Sequence, residues 1–317
     1  MIVFTGEALI DFIPVRDSSG HRAYQPAPGG SVYNTSIASA RLDVPTAFFG
    51  GISRDFFGDR LAVNLEENGV SSGMVQRFDA PSTLAFVDKT PSGEARYAFF
   101  ATHAADRQLR VKDIPALNDD VAALAFGSIA LIGDPAGATI LSLIEKEHVS
   151  GKRVISFDPN IRESLITDSS GYRQRVERGI AAATILKISD EDLRWISGTD
   201  DIATAAQALL QKGPALVVVT AGSNGSTGFF GDQSCSTPAE RTTVVDTIGA
   251  GDSFHAAILA WLHHSRRLSR ESIASLTVAE VQAMLRFASA VAAKTCGRAG
   301  ADPPRLSEVQ TRFRSWG

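Results

Sequence analysis

Thr242 to Ser265 reads TTVVDTIGAGDSFHAAILAWLHHS, a β-rich run that meets two glycines and an acid and then turns into a helix. Phe254, Ala257, Ile258, Trp261 and Leu262 recur at the three- and four-residue spacing that puts apolar side chains on one helix face. Gly249, Ala250 and Gly251 therefore fall at or just before the first turn. Backbone N–H groups there have no partner inside the helix and stand at the positive end of its dipole. Small residues at that point make a seat for phosphate or another anion. Asp252 is the odd member, because a carboxylate repels the ligand the amides attract. It is either the cap of the helix or a general base that takes a proton from a substrate hydroxyl while the amides hold the phosphoryl group under attack. Spacing alone leaves both open.

Other polar residues stand at similar junctions. GEALIDFIPV places Glu7 and Asp11 among apolar neighbours, as the polar face of a half-buried strand or as acceptors for hydroxyl groups. Gln25 to Leu42 passes from a Pro/Gly loop, with Gly29 and Gly30 at its end, into a helix carrying Asn34. Asp158, Asn160 and Arg162 follow the run RVIS within FDPNIR, and Ser189 and Asp192 follow ILKI at an acidic helix start. VVVTAGSNGSTGFF reads as two strands around Thr220, Gly222 and Gly225, and an Ala-rich helix with Ala288 and Ala292 leads into KTCGRAGADPP.

The elements that must hold these residues alternate. IVFTG, LAFGSIALIG, RVISFD, ATILKIS and ALVVVT are buried-type strands, separated by helical stretches near 137–148, 171–182 and 201–212. That pattern predicts a parallel sheet with helices on both faces, and ligands collect beyond the carboxyl ends of such strands. Residues 82–100 read as a hairpin, with Thr83, Ala85 and Val87 on one face, Leu84, Phe86 and Asp88 on the other, and PSG as the turn.

The chain of 317 residues is long enough for one large α/β domain carrying a small accessory unit. A formal charge of −4 without a long basic run argues against nucleic acid as a partner. No apolar run reaches the ~18 residues that span a bilayer, so no membrane partner is expected. Cys235 and Cys296 lack metal-ligand spacing, and the opening MIVFTGEALIDF lacks a signal-peptide pattern, which together imply a cytoplasmic protein. No G-x-x-x-x-G-K-[ST] loop occurs, so a nucleotide would not be held by the P-loop route.

DTIGAGDSF resembles the C-terminal signature of the ribokinase-like carbohydrate kinases of the pfkB family. The family's N-terminal signature is matched some 200 residues earlier by Gly29, Gly30 and Asn34 and by the following LDVPTAFFGGISRDFFGDRL. The opening GE-LIDF and the D-x-N-x-R segment are most similar to bacterial fructokinases. The resemblance implies a three-layer α/β/α fold with a mostly parallel central sheet, residues 1–7, 27–81 and 104–317 forming the main domain and residues 8–26 and 82–103 a β lid. It implies ATP-dependent transfer of the γ-phosphoryl to a primary sugar hydroxyl, with Asp252 as base, the amides of Gly249, Ala250 and Gly251 as anion hole, and Arg162 handling charge. Asp11, Gly29, Gly30, Asn34 and Asn160 would hold the sugar, with His103 as a further contact. Ser189, Thr220, Gly222, Gly225, Ala288 and Ala292 would hold the nucleotide. Magnesium would be ordered through water by Asp192, although the family's N-x-x-E is here Ser189 and Asp192, and potassium would sit by Asp246. A homodimer through the lid is implied. A 2-keto-3-deoxygluconate kinase shares these motifs, and Arg96 and Tyr97 in the hairpin suit its acid group. A sugar-binding protein without catalysis is a further alternative. Gly251-Asp252-Ser253 with His255 also imitates a GDS-type esterase, but one aspartate cannot serve both motifs and such a serine normally stands near the N-terminus.

Overall fold

Short apolar strands and intervening helices do alternate along the chain in a computed structural model, which describes residues 1–89 and 95–309, the side chains of Lys89, Ala95 and Arg96 excepted. The PSG turn expected at residues 91–93 and the Arg96 side chain lie outside the described residues. The first part of the chain forms β1 (Ile2–Thr5), β2 (Leu9–Arg16), β3 (Arg22–Gly29), α1 (Ser31–Arg41), β4 (Thr46–Phe49), β5 (Gly51–Ser53), α2 (Phe56–Glu67), β6 (Val70–Ser71), β7 (Gln76–Phe78), β8 (Thr83–Lys89) and β9 (Ala95–Phe100). The middle forms β10 (Ala123–Gly127), α3 (Ala136–Ser150), β11 (Val154–Asp158), α4 (Ser169–Ala182), β12 (Ile185–Ser189), α5 (Asp190–Ser197), α6 (Ile202–Leu210) and β13 (Leu216–Thr220). Then come β14 (Ser226–Phe230), β15 (Gln233–Thr237), α7 (Ala250–His264), α8 (Arg270–Ala274), α9 (Val278–Cys296) and α10 (Leu306–Val309).

Among the described residues nine strands make one sheet, ordered β15-β14-β13-β12-β11-β10-β1-β4-β6. Pairing is parallel from β6 to β13 and antiparallel at β13-β14 and β14-β15. Strand residues alternate between faces, and the two sides bury separate cores. Ile2, Phe4, Ala123, Ala125 and Ile185 pack with the apolar residues of α1, α7 and α9. Val3, Leu124, Phe126, Ile155 and Leu186 pack with those of α3, α4 and α6. Covered on both faces, β1, β10 and β11 are buried at every residue, which is why they read as continuous apolar runs.

Two expectations are corrected. The run LAFGSIALIG stops being a strand at Gly127, whose φ of 153° belongs to glycine and whose Cβ would stand 1.7 Å from the Asp158 carbonyl oxygen. Ser128–Leu131 continue as a 3-10 turn that carries Ser128 toward the strand ends. Gln25–Gly29, expected as loop, is the end of β3, an edge strand where Pro26 and Pro28 leave no ladder bond missing inside the sheet.

A separate four-stranded sheet has the order β3-β2-β8-β9. Thr83, Ala85 and Val87 are buried on one face, and Leu84, Phe86 and Asp88 are more open on the other, as the alternation predicts. Phe12 stacks on Phe86 at 4.5 Å on the open side, where Tyr24 and Phe100 meet the Phe86 ring edge-on. Among the described residues no helix is long and apolar enough to cross a membrane.

Candidate functional site

The amides at the start of α7 meet no capping side chain, because the cap is Gly249; Ala250 N donates to the Thr247 carbonyl oxygen at 3.3 Å. Gly249 has φ 75°, and a Cβ there would press on Ala301 at 2.8 Å. Asp252 is the third residue of the helix and does not cap it. Its Oδ1 accepts from Ser31 Oγ at 2.6 Å and its Oδ2 from Asn34 Nδ2 at 3.4 Å. Burial pushes its pKa up to about 6, with the Ser31 bond pulling the other way. The esterase geometry is absent: Ser253 accepts from Thr295 at 2.8 Å, while His255 pairs with Ser156 at 2.6 Å. Neighbouring helix positions point these groups apart.

α1 delivers Ser31 and Asn34, and its own start is capped from a distance. Gly30 offers no side chain, and Glu7, just past β1, accepts from Ser31 N at 2.7 Å through Oε1. A negative group at a helix N-terminus is favourable. Glu7 is only 1% exposed, so it is not the face of a half-buried strand, and burial pushes its pKa to about 7. The glycines are there for close approach as well as turning. A Cβ on Gly29 would meet Asp11 Oδ2 at 2.0 Å, and one on Gly30, at φ 109°, would meet the Glu7 carbonyl oxygen at 2.9 Å. Asp11 thus lies across Gly29 and faces the cleft from β2, its pKa raised to about 7 by burial and then by the charge of Asp252.

β11 ends in Asp158, and the chain turns at Asn160, whose φ of 38° is one that asparagine tolerates. There its Nδ2 donates to Ser31 Oγ at 2.5 Å, so Asn160, Ser31 and Asp252 form a chain of hydrogen bonds. Arg162 also lines the cleft. Ser189 caps α5 by accepting from Asp192 N at 3.0 Å, and Asp192 accepts from Ile161 N at 3.3 Å. Burial, then the charge of Asp158, raises Asp192 to about 6. These two residues tie α5 to the 158–162 turn and stand outside the walls of both clefts described next.

A cleft of about 520 Å³ is lined by Asp11, Gly30, Asn34, Asn160, Arg162 and Asp252, with Val87, Tyr97 and Phe99 of the small sheet above them. A second, more apolar cleft of about 480 Å³ is lined by Thr220, Gly222, Gly225, Ala250, Phe254 and Ala292. The two share Val244, Thr247 and Gly251, so they meet at the uncapped amides. Ala288, expected beside Ala292, is fully buried in the core, because the cleft takes the α9 stripe of Ser289, Ala292, Ala293 and Cys296 and Ala288 lies to one side of it. His103 is exposed and lines neither cleft. Asp246 accepts from Thr247 N, Ile248 N and Gly300 N at 2.8, 3.2 and 3.1 Å, pinning the loop before α7 to the loop after α9.

Two residues were missed in the sequence. Ser31 reads as an ordinary small residue after a Gly pair, and nothing in its surroundings marked it. Lys187 did carry a signal, a lone cation inside the apolar strand ILKIS. It donates to Asp158 at 2.8 Å, both side chains being 6% exposed.

A mostly parallel α/β fold whose polar and apolar clefts meet at bare helix amides beside a carboxylate suits transfer of a phosphoryl group to a hydroxyl. The sequence pattern of the pfkB family carbohydrate kinases matches residues 1–308. The chain is 43% identical over 276 residues to a fructokinase of Rhizobium leguminosarum bv. trifolii, covering 87% of this chain and 84% of that one. Its fold is similar to the crystal structure of a Xylella fastidiosa fructokinase with bound ATP, with a TM-score of 0.88, 26% identity and 99% of each chain covered. It is also similar to a Vibrio cholerae O395 fructokinase double mutant bound to fructose, ADP and a potassium ion, with a TM-score of 0.81, 27% identity and coverage of 95% and 93%. The chain belongs to the pfkB family of carbohydrate kinases.

Proposed function

We propose that this protein transfers the γ-phosphoryl of ATP to the primary hydroxyl of fructose, giving fructose 6-phosphate. The observation that carries the reading is Asp252, a carboxylate held by Ser31 and Asn34 at the point where the two clefts join. Fructose occupies the polar cleft, its hydroxyls donating to Asp11 and meeting Asn34, Asn160 and Arg162. ATP lies along Thr220, Gly222, Gly225 and Ala292, with its γ-phosphoryl over Gly251. Asp252 takes the proton of the attacking hydroxyl, and the amides of Gly249 to Gly251 hold the oxygens of the moving group. The bond from the γ-phosphorus to the bridging oxygen breaks as the bond to the sugar oxygen forms, and ADP leaves.

Among the described residues no cluster of three or more acidic, histidine or cysteine side chains exists that would cage a metal. Magnesium on nucleotide phosphates keeps several of its own waters, so a single carboxylate acting through water suits it. Asp192, which stands outside the cleft walls, would reach that shell only through water, and the ion would neutralise charge on the phosphates. We place a potassium ion by Asp246 and a homodimer across the aromatic side of the small sheet as parts of the same reading.

Sugar-dependent ADP release with fructose, ribose, 2-keto-3-deoxygluconate and a nucleoside tests the proposal. The highest kcat/KM is expected for fructose. Tyr97 and Arg162 in the cleft wall make 2-keto-3-deoxygluconate the competitor to watch, and a higher kcat/KM for it would replace fructose. No ADP release with any of the four would point to a binding protein and overturn the kinase reading.

A further inference from the structure

Lys187 is a buried cation that the reaction above leaves without a role. Alternation along β12 turns it to the same face as Ile185, whose side chain joins the core with α7. A methyl group on Gly251 would stand 3.3 Å from its ammonium nitrogen, which therefore lies directly against the backbone of the anion seat. Lys187 is also part of the wall of the polar cleft. Asp158 takes one of three ammonium protons through Oδ2, while its buried Oδ1 has no partner.

Stability does not account for such a pair. Desolvating two charges costs several kcal/mol per ion in real proteins, and well-packed apolar residues of similar volume are often as good or better. Burial works against the charge on Lys187, and Asp158, Asp252 and Asp192 together outweigh it, so the amine stays protonated. A glycine at 251 leaves nothing between that cation and the cleft.

We propose that Lys187 is a catalytic residue, its ammonium donating past Gly251 to the oxygens of the phosphoryl group during transfer, with Asp158 as the residue that positions it. This rests on the kinase reading above. The amides alone offer partial charges, whereas the ammonium adds a full one where negative charge gathers. It keeps its proton throughout: the hydroxyl proton goes to Asp252 and the electron pair of the broken phosphorus–oxygen bond goes to ADP.

The test compares wild type, Lys187→Met and the double variant Lys187→Met/Asp158→Asn, with kcat and KM for fructose and ATP and the melting temperature of each. Loss of one preorganised donor to a transition state lowers kcat by ~10²–10³-fold. That loss is expected in both variants at saturating substrates, with the KM for fructose within about threefold of wild type. The double variant removes the partner carboxylate together with the cation, so Asp158 is not stranded as a buried unpaired charge, the main folding risk of Lys187→Met. A double variant that melts like wild type and keeps kcat within about threefold would show that Lys187 only neutralises Asp158, and would overturn the proposal while wild-type turnover leaves the kinase reading standing. Absence of turnover in wild type would instead remove the reading on which the proposal rests, and the proposal with it.

Discussion

Asp11 is held where ionising is costly, half-buried on β2 and facing the charge of Asp252, and desolvation first and then that charge raise its pKa to about 7. Glu7 and Asp252 are raised in the same direction, to about 7 and about 6. In the unfolded chain these groups ionise near pH 4. A carboxyl with a raised folded pKa adds stability that is fully present below its unfolded pKa and is lost as pH rises through the folded one. The ligand-free protein is therefore expected to melt lower at pH 8 than at pH 5 as far as these groups decide it. Asp11→Asn removes one of them, so its melting temperature should rise relative to wild type at pH 8 and change little at pH 5. The same variant should raise the KM for fructose by about ten- to a hundred-fold, the worth of hydrogen bonds to a charged acceptor. A variant that melts lower at pH 8 with unchanged KM would contradict both the burial cost and the sugar contact. Asp11 and Asp252 interact, so kcat/KM should climb with pH between about 6 and 7 as a property of the pair.

At the scale of elements, much was visible because strand period and burial agree. LVVVT and VISFD are mostly apolar, each closing on a polar residue at the strand end, and are strands covered on both faces. The start of α7 was equally plain, since two glycines beside apolar residues at helical spacing leave little choice, although the helix proves buried on every side from Asp252 to Leu262. What hid was set by contacts distant in sequence. Gly127 ends its strand because of the Asp158 carbonyl, and Ser31 acquires its role from Asn160 and Asp252 on other elements. The Asp246 carboxylate belongs to the same category, tying two loops through three amides. Asp246→Ala should release the loop that shapes the seat at Gly249, raising the KM for ATP and lowering kcat together by roughly ten-fold, on the scale of a lost charged hydrogen bond. Activity of both proteins with and without potassium completes the experiment. Stimulation confined to wild type would tie a cation to this loop, and an unaltered KM for ATP in the variant would separate the loop from the nucleotide.

At the scale of the molecule, the small sheet has two different faces. Leu9, Asp11, Val87, Tyr97 and Phe99 look into the polar cleft, whereas Phe12, Tyr24, Phe86 and Phe100 form an aromatic side, with Phe100 62% exposed. Contiguous exposed apolar surface of this kind marks an interaction site, and a second copy of the chain is the partner we propose. Phe100→Glu should convert a dimer to a monomer in sedimentation velocity at micromolar concentration, with a weaker hold on fructose where the cleft loses its support. Wild type sedimenting as a monomer would remove the dimer without touching the chemistry of Asp252.

That chemistry is tested most directly by Asp252→Asn, which keeps size and hydrogen-bonding capacity but not the ability to take a proton. A positioned base contributes ~10²–10⁴ in rate. Rapid-quench measurement of fructose phosphorylation at saturating substrates should show kcat reduced by that factor, with fructose bound about as tightly as in wild type. Turnover within a few-fold of wild type would contradict the account, because the proton would then be leaving the sugar by another route.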